Sequence, residues 1–323
     1  MTYIAAFHCN GGLVMCADTL ETFGDYKNYV EKIETADPFP LAIGGAGVSD
    51  IIEPVLQEVV DRFRSEKPST RGDVKKLIQA ALNEVFSKDV PLLVLKKQHR
   101  TAEFLIAAKP KDEGFCIFWA KGRRVYKEVR KGVIGYGTPY NNALLNRLHN
   151  DSLPMAQAVM LATYLVSQSK DIDEGVGGEP RVVIVTNTIF YDDPTHIGNV
   201  EARAREFVQL ADEMFLSCAD LSISTAALVE QLDNFRAKIV DLRQKHLQVT
   251  AEWVISHIDR YSAPYAYLPP GTVLTLSNSG VTYTEDEAEI EKFRESIRRA
   301  EDELKKLRDA FMQSTSRKSE LEP

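Results

Sequence analysis

Several residues near the start of the chain could together carry out nucleophilic hydrolysis. Removal of Met1 would leave Thr2 with a hydroxyl nucleophile and a free α-amine in one residue. An α-amine has a pKa of about 7.7–8.0, so a useful fraction is neutral at pH 7 and can act as a general base. A hydroxyl activated by the amine of its own residue is an established route to a competent nucleophile. Thr2 is therefore the candidate nucleophile.

The other parts of such a site follow Thr2 in order along the chain. Asp18 ends a predicted strand, Lys32 lies between Glu31 and Ile33, and the run Gly44–Gly47 leads into a predicted helix. A cation lowers the pKa of a nearby amine, a carboxylate fixes that cation, and amides at a helix N-terminus stabilise an oxyanion. Each feature alone fits a turn or a solvated side chain. Their joint order favours catalysis.

The elements that must hold these residues are predicted from the apolar pattern. The runs Tyr3–His8 and Leu13–Ala17 are separated by Asn10-Gly11-Gly12, which predicts a β-hairpin. Leu41–Ile43 predicts a strand, and apolar residues on one face predict a helix over Ser49–Phe63. A chain that begins inside a sheet holds its first residues in place.

The rest of the first part alternates blocks of helices and strands. Segregated blocks of this kind favour an α+β layered sandwich over a doubly wound sheet. The predicted helices are Thr70–Ser87, Tyr140–Asn150 and Pro154–Lys170, and the predicted strands are Leu92–Leu95, Glu103–Ala108, Phe115–Trp119, Arg124–Val129, Gly132–Tyr136 and Arg181–Thr186.

The pattern changes near residue 196. We predict one domain over residues 1–195, a mostly helical extension over 196–312 with a small β excursion near 265–283, and a disordered tail over 313–323. Apolar residues spaced alternately three and four apart predict helices over 228–253 and 290–311. For the second helix, packing on its own chain and an inter-subunit coiled coil remain equally open. His246 lies on the first seam, where a core position is favoured over a ligand.

Composition excludes several classes of protein. The chain has 323 residues, 44% of them hydrophobic, and a net charge of −8, which is typical of a globular protein and argues against nucleic-acid binding. The sequence contains no signal peptide, no apolar run long enough to span a membrane, and no phosphate-binding, dinucleotide or HExxH motif. The four cysteines lack the spacing of a zinc site. We therefore expect a cytoplasmic protein without metal, cofactor, nucleic-acid or membrane partner.

Residues 2–50 resemble the proteasome β-type subunits and their bacterial relatives, including HslV, which are N-terminal-nucleophile hydrolases. The matching pieces are Thr2, Gly11–Asp18, Lys32-Ile33 and Ile43–Asp50. The resemblance implies a four-layer αββα sandwich. It also implies that Thr2 is nucleophile and base, that Asp18 and Lys32 support it, and that Gly44 donates to the oxyanion, with a surrounding neighbourhood of Gly45, Ala46, Gly47 and Tyr136.

Two downstream segments match this family less closely. Val133–Tyr140 is similar to its Gly-Ser-Gly turn, with Tyr136 in place of serine. Asp173–Gly178 is similar to its Asp-x-x-Ser-Gly-Gly element, in which Asp173 is kept and Val176 replaces serine. In the family the aspartate and both serines support the threonine amine. The resemblance ends near residue 187.

The resemblance implies a threonine peptidase that cleaves unfolded polypeptides through an acyl-enzyme, inside a self-assembled homo-oligomeric ring. It also implies an ATP-dependent unfoldase as partner. Loss of the two serines keeps open a different function, that of a catalytically silent scaffold subunit. A third interpretation keeps the fold for an amidohydrolase acting on a small amide, or for a self-processing enzyme.

Overall fold

In a computed structural model of the chain, the described residues are 2–23, 26–93, 101–136, 138–256, 273–277 and 280–284. Met1, the predicted helix over 290–311 and the predicted tail over 313–323 lie outside them. The strands are β1 (Tyr3–Cys9), β2 (Gly12–Ala17), β3 (Leu20–Phe23), β4 (Tyr26–Tyr29), β5 (Ile33–Thr35), β6 (Leu41–Gly47), β7 (Ala102–Ala108), β8 (Cys116–Lys121), β9 (Arg124–Val129), β10 (Lys131–Gly135), β11 (Arg181–Val185), β12 (Ile189–Tyr191), β13 (Val273–Ser277) and β14 (Gly280–Thr284). The α-helices are α1 (Ser49–Glu66), α2 (Arg71–Lys88), α3 (Thr138–Leu148), α4 (Met155–Ile172), α5 (Pro194–Ala219) and α6 (Thr225–Ser256).

Two antiparallel five-stranded sheets form the centre of the first part of the chain. One has the strand order β10-β1-β2-β11-β12 and the other β5-β6-β7-β8-β9. The predicted opening hairpin is confirmed, since β1 pairs with β2 from Ile4 opposite Ala17 to Cys9 opposite Gly12. The predicted α+β class is likewise confirmed at the level of sheets and helices.

Strand β1 is buried on both faces, and its alternate residues enter two different cores. Tyr3, Ala5 and Phe7 join the apolar cluster that packs against α3 and α4, whereas Ile4 and Ala6 join residues of the second sheet. This is the period of two that a strand imposes on its side chains. A third cluster lies between the second sheet and helices α1 and α2. Strand β1, which directly follows Thr2, is therefore packed on both of its faces.

Most predicted helices are confirmed within a few residues. Helix α2 begins after Thr70, whose side chain accepts from the amide of Asp73 while the Asp73 carboxylate accepts from the amide of Thr70. This capping box satisfies two amides at the helix start. The sequence predicts a helix over Val200–Leu216, and α5 begins six residues earlier, because Asp193 caps it and Pro194 suits the first turn.

Two predictions of local structure differ from the fold. The predicted strand Leu92–Leu95 is wrong in its first residue, because Val90–Leu92 forms a short 3-10 helix and residues 94–95 lie outside the described part. The hairpin β3–β4 was not predicted. All four residues of β4 are exposed, so the strand lacks the apolar alternation that would have indicated it.

The predicted heptad seam lies on α6, which packs against α5. Phe235 and Leu242 are buried there, but Leu232 and Ile239 of the same seam remain 36% and 40% exposed. The pairing β13–β14 falls in the predicted β excursion. None of the helices among the described residues has the length and apolarity needed to span a membrane.

Candidate active site

Asp18 lies at the centre of the candidate site and is completely buried at the end of β2. One carboxylate oxygen, Oδ1, accepts from the backbone amide of Tyr3 at 2.9 Å and from Lys32 Nζ at 2.8 Å. The other oxygen accepts from the amide of Gly177 at 3.1 Å. The buried charge is thus paired and hydrogen-bonded on both oxygens, which a buried carboxylate requires.

Lys32 is buried just before β5 and is fixed by two acceptors. Besides Asp18, its ammonium donates to the carbonyl oxygen of Leu20 at 2.5 Å. Burial lowers the pKa of Lys32 from its ordinary value, and the Asp18 charge opposes that effect. The side chain is thus a positioned cation whose place is set by β2 and by the residue that opens β3.

Thr2 is the first described residue, lies directly before β1 and contacts the turn after β10. Its carbonyl oxygen accepts from the amide of Tyr136 at 2.8 Å. Gly135 has φ of +89°, and a Cβ there would overlap the Thr2 carbonyl oxygen. Glycine is therefore required at this position both by its backbone conformation and by the close approach of Thr2.

The Asp18 contacts place Lys32 beside Thr2. The amide that links Thr2 to Tyr3 and the ammonium of Lys32 are bound by the same carboxylate oxygen. The Asp18 carboxylate stabilises the charged form of Lys32, and a lysine ammonium disfavours a second positive charge on a nearby amine.

The glycine-rich strand β6 runs along the same end of the site. Gly44 lies opposite Ile33, and a Cβ on it would come within 3.2 Å of the Lys32 carbonyl oxygen. Gly47 has φ of +144°, which favours glycine. The β5 pairing ends at Gly44, so among the described residues Gly45, Ala46 and Gly47 pair only with β7. Of these three residues Gly45 and Ala46 are buried, whereas Gly47 is exposed.

Asp173 and Tyr136, which the resemblance also names, make backbone-mediated contacts. The Asp173 carboxylate accepts from the amide of Gly175 at 2.9 Å, within its own loop. Tyr136 meets Thr2 through its backbone, while its ring is half exposed. Val176 is buried in the apolar cluster beside α4. The loop reaches Asp18 through the Gly177 amide instead.

Several contributors were not among the predicted site residues, although Gly135 and Gly177 lie in the two downstream segments that resemble the family. Gly135 and Gly177 both contact the site through backbone atoms, and the latter lies 159 residues from Asp18. Glu21 lies on β3, where its carboxylate accepts from Ser49 Oγ at 2.8 Å. The sequence shows the pair Gly177-Gly178 shortly after Asp173, but it does not show the hydrogen bond from Gly177 to Asp18. Backbone hydrogen bonds over such separations carry no sequence signal.

The geometry supplies a buried ion pair, Asp18–Lys32, together with backbone amides at the start of β1 and at Gly177. Among the residues that the structure describes, no three His, Cys, Asp or Glu side chains cluster as metal ligands would. Cys9, Cys16 and Cys116 are buried free thiols, and burial raises the pKa of each to about 12. These thiols are poor nucleophiles at neutral pH.

Solved structures of Anbu proteins share this fold. The Anbu (ancestral beta-subunit) from Yersinia bercovieri gives a TM-score of 0.55 at 15% identity, covering 66% of this chain and 96% of that one. Two structures of Anbu from Hyphomicrobium sp. strain MC1 give TM-scores of 0.54 (a Gly-1 mutant) and 0.52, at 17% and 16% identity. They cover 66% and 65% of this chain and 97% of each neighbour. No protein-family model and no curated protein matches.

These neighbours correct the resemblance drawn from the sequence. The assignment to the proteasome β-type and HslV family is wrong, because the matching structures are Anbu proteins, a proteasome-like but distinct family. The motifs could not separate the two families, because they reflect a fold rather than one family. The residues concerned are Thr2, Asp18, Lys32 and Gly44. At 15–17% identity, the likeness establishes the fold of about two thirds of the chain.

Proposed function

We propose that the chain is an N-terminal-nucleophile threonine peptidase after removal of Met1. The observation that carries this proposal is the shared oxygen of Asp18, which binds both Lys32 and the amide following Thr2. It gives the candidate nucleophile a fixed position beside a cation. The neighbouring glycine strand supplies amides for the oxyanion, with Gly44 as the donor.

In the proposed reaction, Thr2 Oγ1 attacks the carbonyl carbon of the scissile amide. The hydroxyl proton passes to the Thr2 α-amine and then to the leaving amine, so that the C–N bond breaks and an ester remains on Thr2. Water, deprotonated by the same amine, hydrolyses the ester to a carboxylic acid and restores the hydroxyl. Lys32 favours the neutral amine, and Asp18 keeps Lys32 in place.

A polypeptide is the substrate best supported. The β6 edge beyond Gly44 offers backbone groups to an extended chain, and main-chain pairing of this kind binds peptides regardless of most side chains. A small amide would use none of these groups. We therefore favour peptide hydrolysis over the small-amide alternative and over self-processing.

The proposal extends to the architecture. Three apolar clusters, one between the sheets and one between each sheet and its helices, support a four-layer αββα sandwich.

We keep the division into residues 1–195, 196–312 and 313–323 as a proposal. Helix α5 begins at Pro194 and packs against α4, so it joins the two larger parts.

Assembly into a homo-oligomeric ring is proposed as well, with an ATP-dependent unfoldase feeding it by analogy alone. Exposed apolar side chains on α5 and α6, including Phe215, Leu216 and Val229, support association between copies. Native mass spectrometry tests this point, because a stable monomer would contradict the ring.

The peptidase is tested by hydrolysis of a denatured protein and of short fluorogenic peptides. Wild-type protein should cleave both, Thr2→Ala should cleave neither, and Thr2→Ser should retain a measurable fraction of the rate. Cleavage that survives in Thr2→Ala would refute the proposal.

A scaffold function is the second candidate. Val176 has no hydroxyl and is packed in an apolar cluster, and Tyr136 exposes half of its ring, so we expect neither to take over the role of the family serine. A wild-type protein that assembles but cleaves no substrate would support the scaffold.

A further inference from the structure

A carboxylate not used by the proposed mechanism lies beside the candidate site. Glu21 is partly buried on β3, and its Oε1 accepts from Ser49 Oγ at 2.8 Å. Ser49 opens α1 directly after the glycine strand, and Leu20, which precedes Glu21, binds Lys32 through its carbonyl oxygen. Glu21 is therefore anchored between the start of α1 and the residue that holds the site's cation.

Among the residues that the structure describes, the Glu21 carboxylate has no cation within ion-pair distance. Lys32 is bound to Asp18 and to the Leu20 carbonyl instead. Ser49 offers a neutral hydroxyl as the sole hydrogen-bond donor to it in that part of the chain. The Glu21 charge nevertheless acts on Lys32 electrostatically, which places it near the site. Partial burial destabilises the ionised form of a carboxylate unless an opposite charge lies close to it.

We propose that Glu21 is a specificity residue that binds a cationic side chain, lysine or arginine, of the substrate residue beside the scissile bond. This inference rests on the proposed function. An incoming ammonium or guanidinium would supply the missing opposite charge. Ser49 holds the carboxylate in place for that contact, in the way that supporting hydrogen bonds hold other binding groups.

Glu21 could instead serve only to brace the start of α1, since Val48 provides no side-chain cap there. The two roles respond differently to substitution. Glu21→Gln removes the charge and keeps an oxygen that can accept from Ser49, whereas Ser49→Ala removes the brace and keeps the charge. A charge-dependent preference among substrates distinguishes binding from bracing.

The test uses binding and turnover together. Peptides that differ only in arginine, leucine or glutamate before the scissile bond are titrated against full-length Thr2→Ala protein. The same peptides, made fluorogenic, are given to protein with Thr2 intact. We expect arginine to be preferred over leucine in both assays, and Glu21→Gln to reduce that preference ratio by roughly tenfold to a hundredfold, the range of a hydrogen bond to a charged group. Ser49→Ala should retain a preference for arginine.

Glu66→Gln is the matched control, because it removes the same charge from the exposed far end of α1, about 25 Å from Ser49. It should leave the preference unchanged. Equal binding of arginine and leucine peptides, or a preference unaffected by Glu21→Gln, would overturn the inference. Arginine-selective binding that depends on Glu21, without any turnover, would support the inference and contradict the proposed peptidase instead.

Discussion

Asp18 connects more parts of the candidate site than any other residue described. Its two oxygens join β1, Lys32 and the loop at Gly177, which come from three separate regions of the chain. Removing one partner of a buried ion pair leaves the other charge uncompensated. Stability and the proposed chemistry therefore depend on the same contacts.

Lys32→Met tests that dependence. The variant leaves Asp18 buried without its cation, so we expect the free energy of unfolding to fall by about 3–5 kcal/mol and peptide hydrolysis to be lost. Urea denaturation and fluorogenic turnover measure the two effects. Lys27→Met, at an exposed position of β4, should change stability by less than about 0.5 kcal/mol. Equal stabilities of the two variants would contradict the central role of the pair.

Gly135→Ala should displace Thr2. The glycine adopts φ of +89°, and the added methyl group would overlap the Thr2 carbonyl oxygen. We expect the free energy of unfolding to fall by more than about 2 kcal/mol. We also expect a threonine-directed covalent inhibitor to label Thr2 much less. Gly122→Ala is the control, since that glycine has φ of +54° but open space around its Cβ position. Its destabilisation should stay near 1 kcal/mol, with labelling retained.

At the scale of elements, α6 packs against α5 and carries a partly buried histidine, His246. Burial lowers the pKa of His246 from 6.5 to about 4, and the neighbouring charges of His196 and Arg203 act in the same direction. Below pH 6.5 the unfolded chain binds a proton there that the folded chain does not. The stability contributed by neutral His246 is therefore present above pH 6.5 and is lost as the pH falls towards 4.

We expect the thermal midpoint to decrease between pH 7 and pH 5, and His246→Gln to reduce part of that decrease. His8, whose burial also lowers its pKa to about 4, should account for another part. Thermal melts followed by circular dichroism at both pH values provide the measurement. An identical decrease in the wild type and in His246→Gln would refute the assignment to His246.

The same elements explain how far the sequence could predict the fold. The hairpin of β1 and β2 is short-range and strongly apolar, so alternation and the Asn-Gly turn indicated it, together with Thr2 and Asp18. Hairpin β3–β4 is exposed and polar, and it could not be recognised by that pattern. The proposed role of Glu21 depends on Ser49, 28 residues away, and only their hydrogen bond between β3 and the start of α1 reveals it.

At the scale of the whole molecule, the proposed domain boundary at residue 195 falls within the first turn of α5. Its first half contributes Ile197, Val200 and Ala204 to the interior. A chain that ends at residue 195 loses these side chains, whereas a chain that ends at Ala219 keeps the entire helix. The proposed boundary at residue 195 thus marks a change of sequence pattern that coincides with the start of a packed helix.

We expect the chain ending at residue 195 to be less stable than the one ending at Ala219 by at least about 3 kcal/mol, since each buried Ile or Val contributes about 1.5–3 kcal/mol. That difference corresponds to a thermal midpoint lower by about 6 °C or more. Scanning calorimetry of both truncated chains provides the comparison. Equal midpoints would place the folding boundary before α5.

The central claim is that Thr2 is the nucleophile, and intact-mass spectrometry of the purified full-length protein tests it most directly. After treatment with a threonine-directed covalent inhibitor, we predict a species that lacks Met1 and carries one adduct, which peptide mapping assigns to Thr2. The adduct should be absent from Lys32→Met and present in Lys27→Met. Retention of Met1, or an unlabelled Thr2 after its removal, would contradict the account.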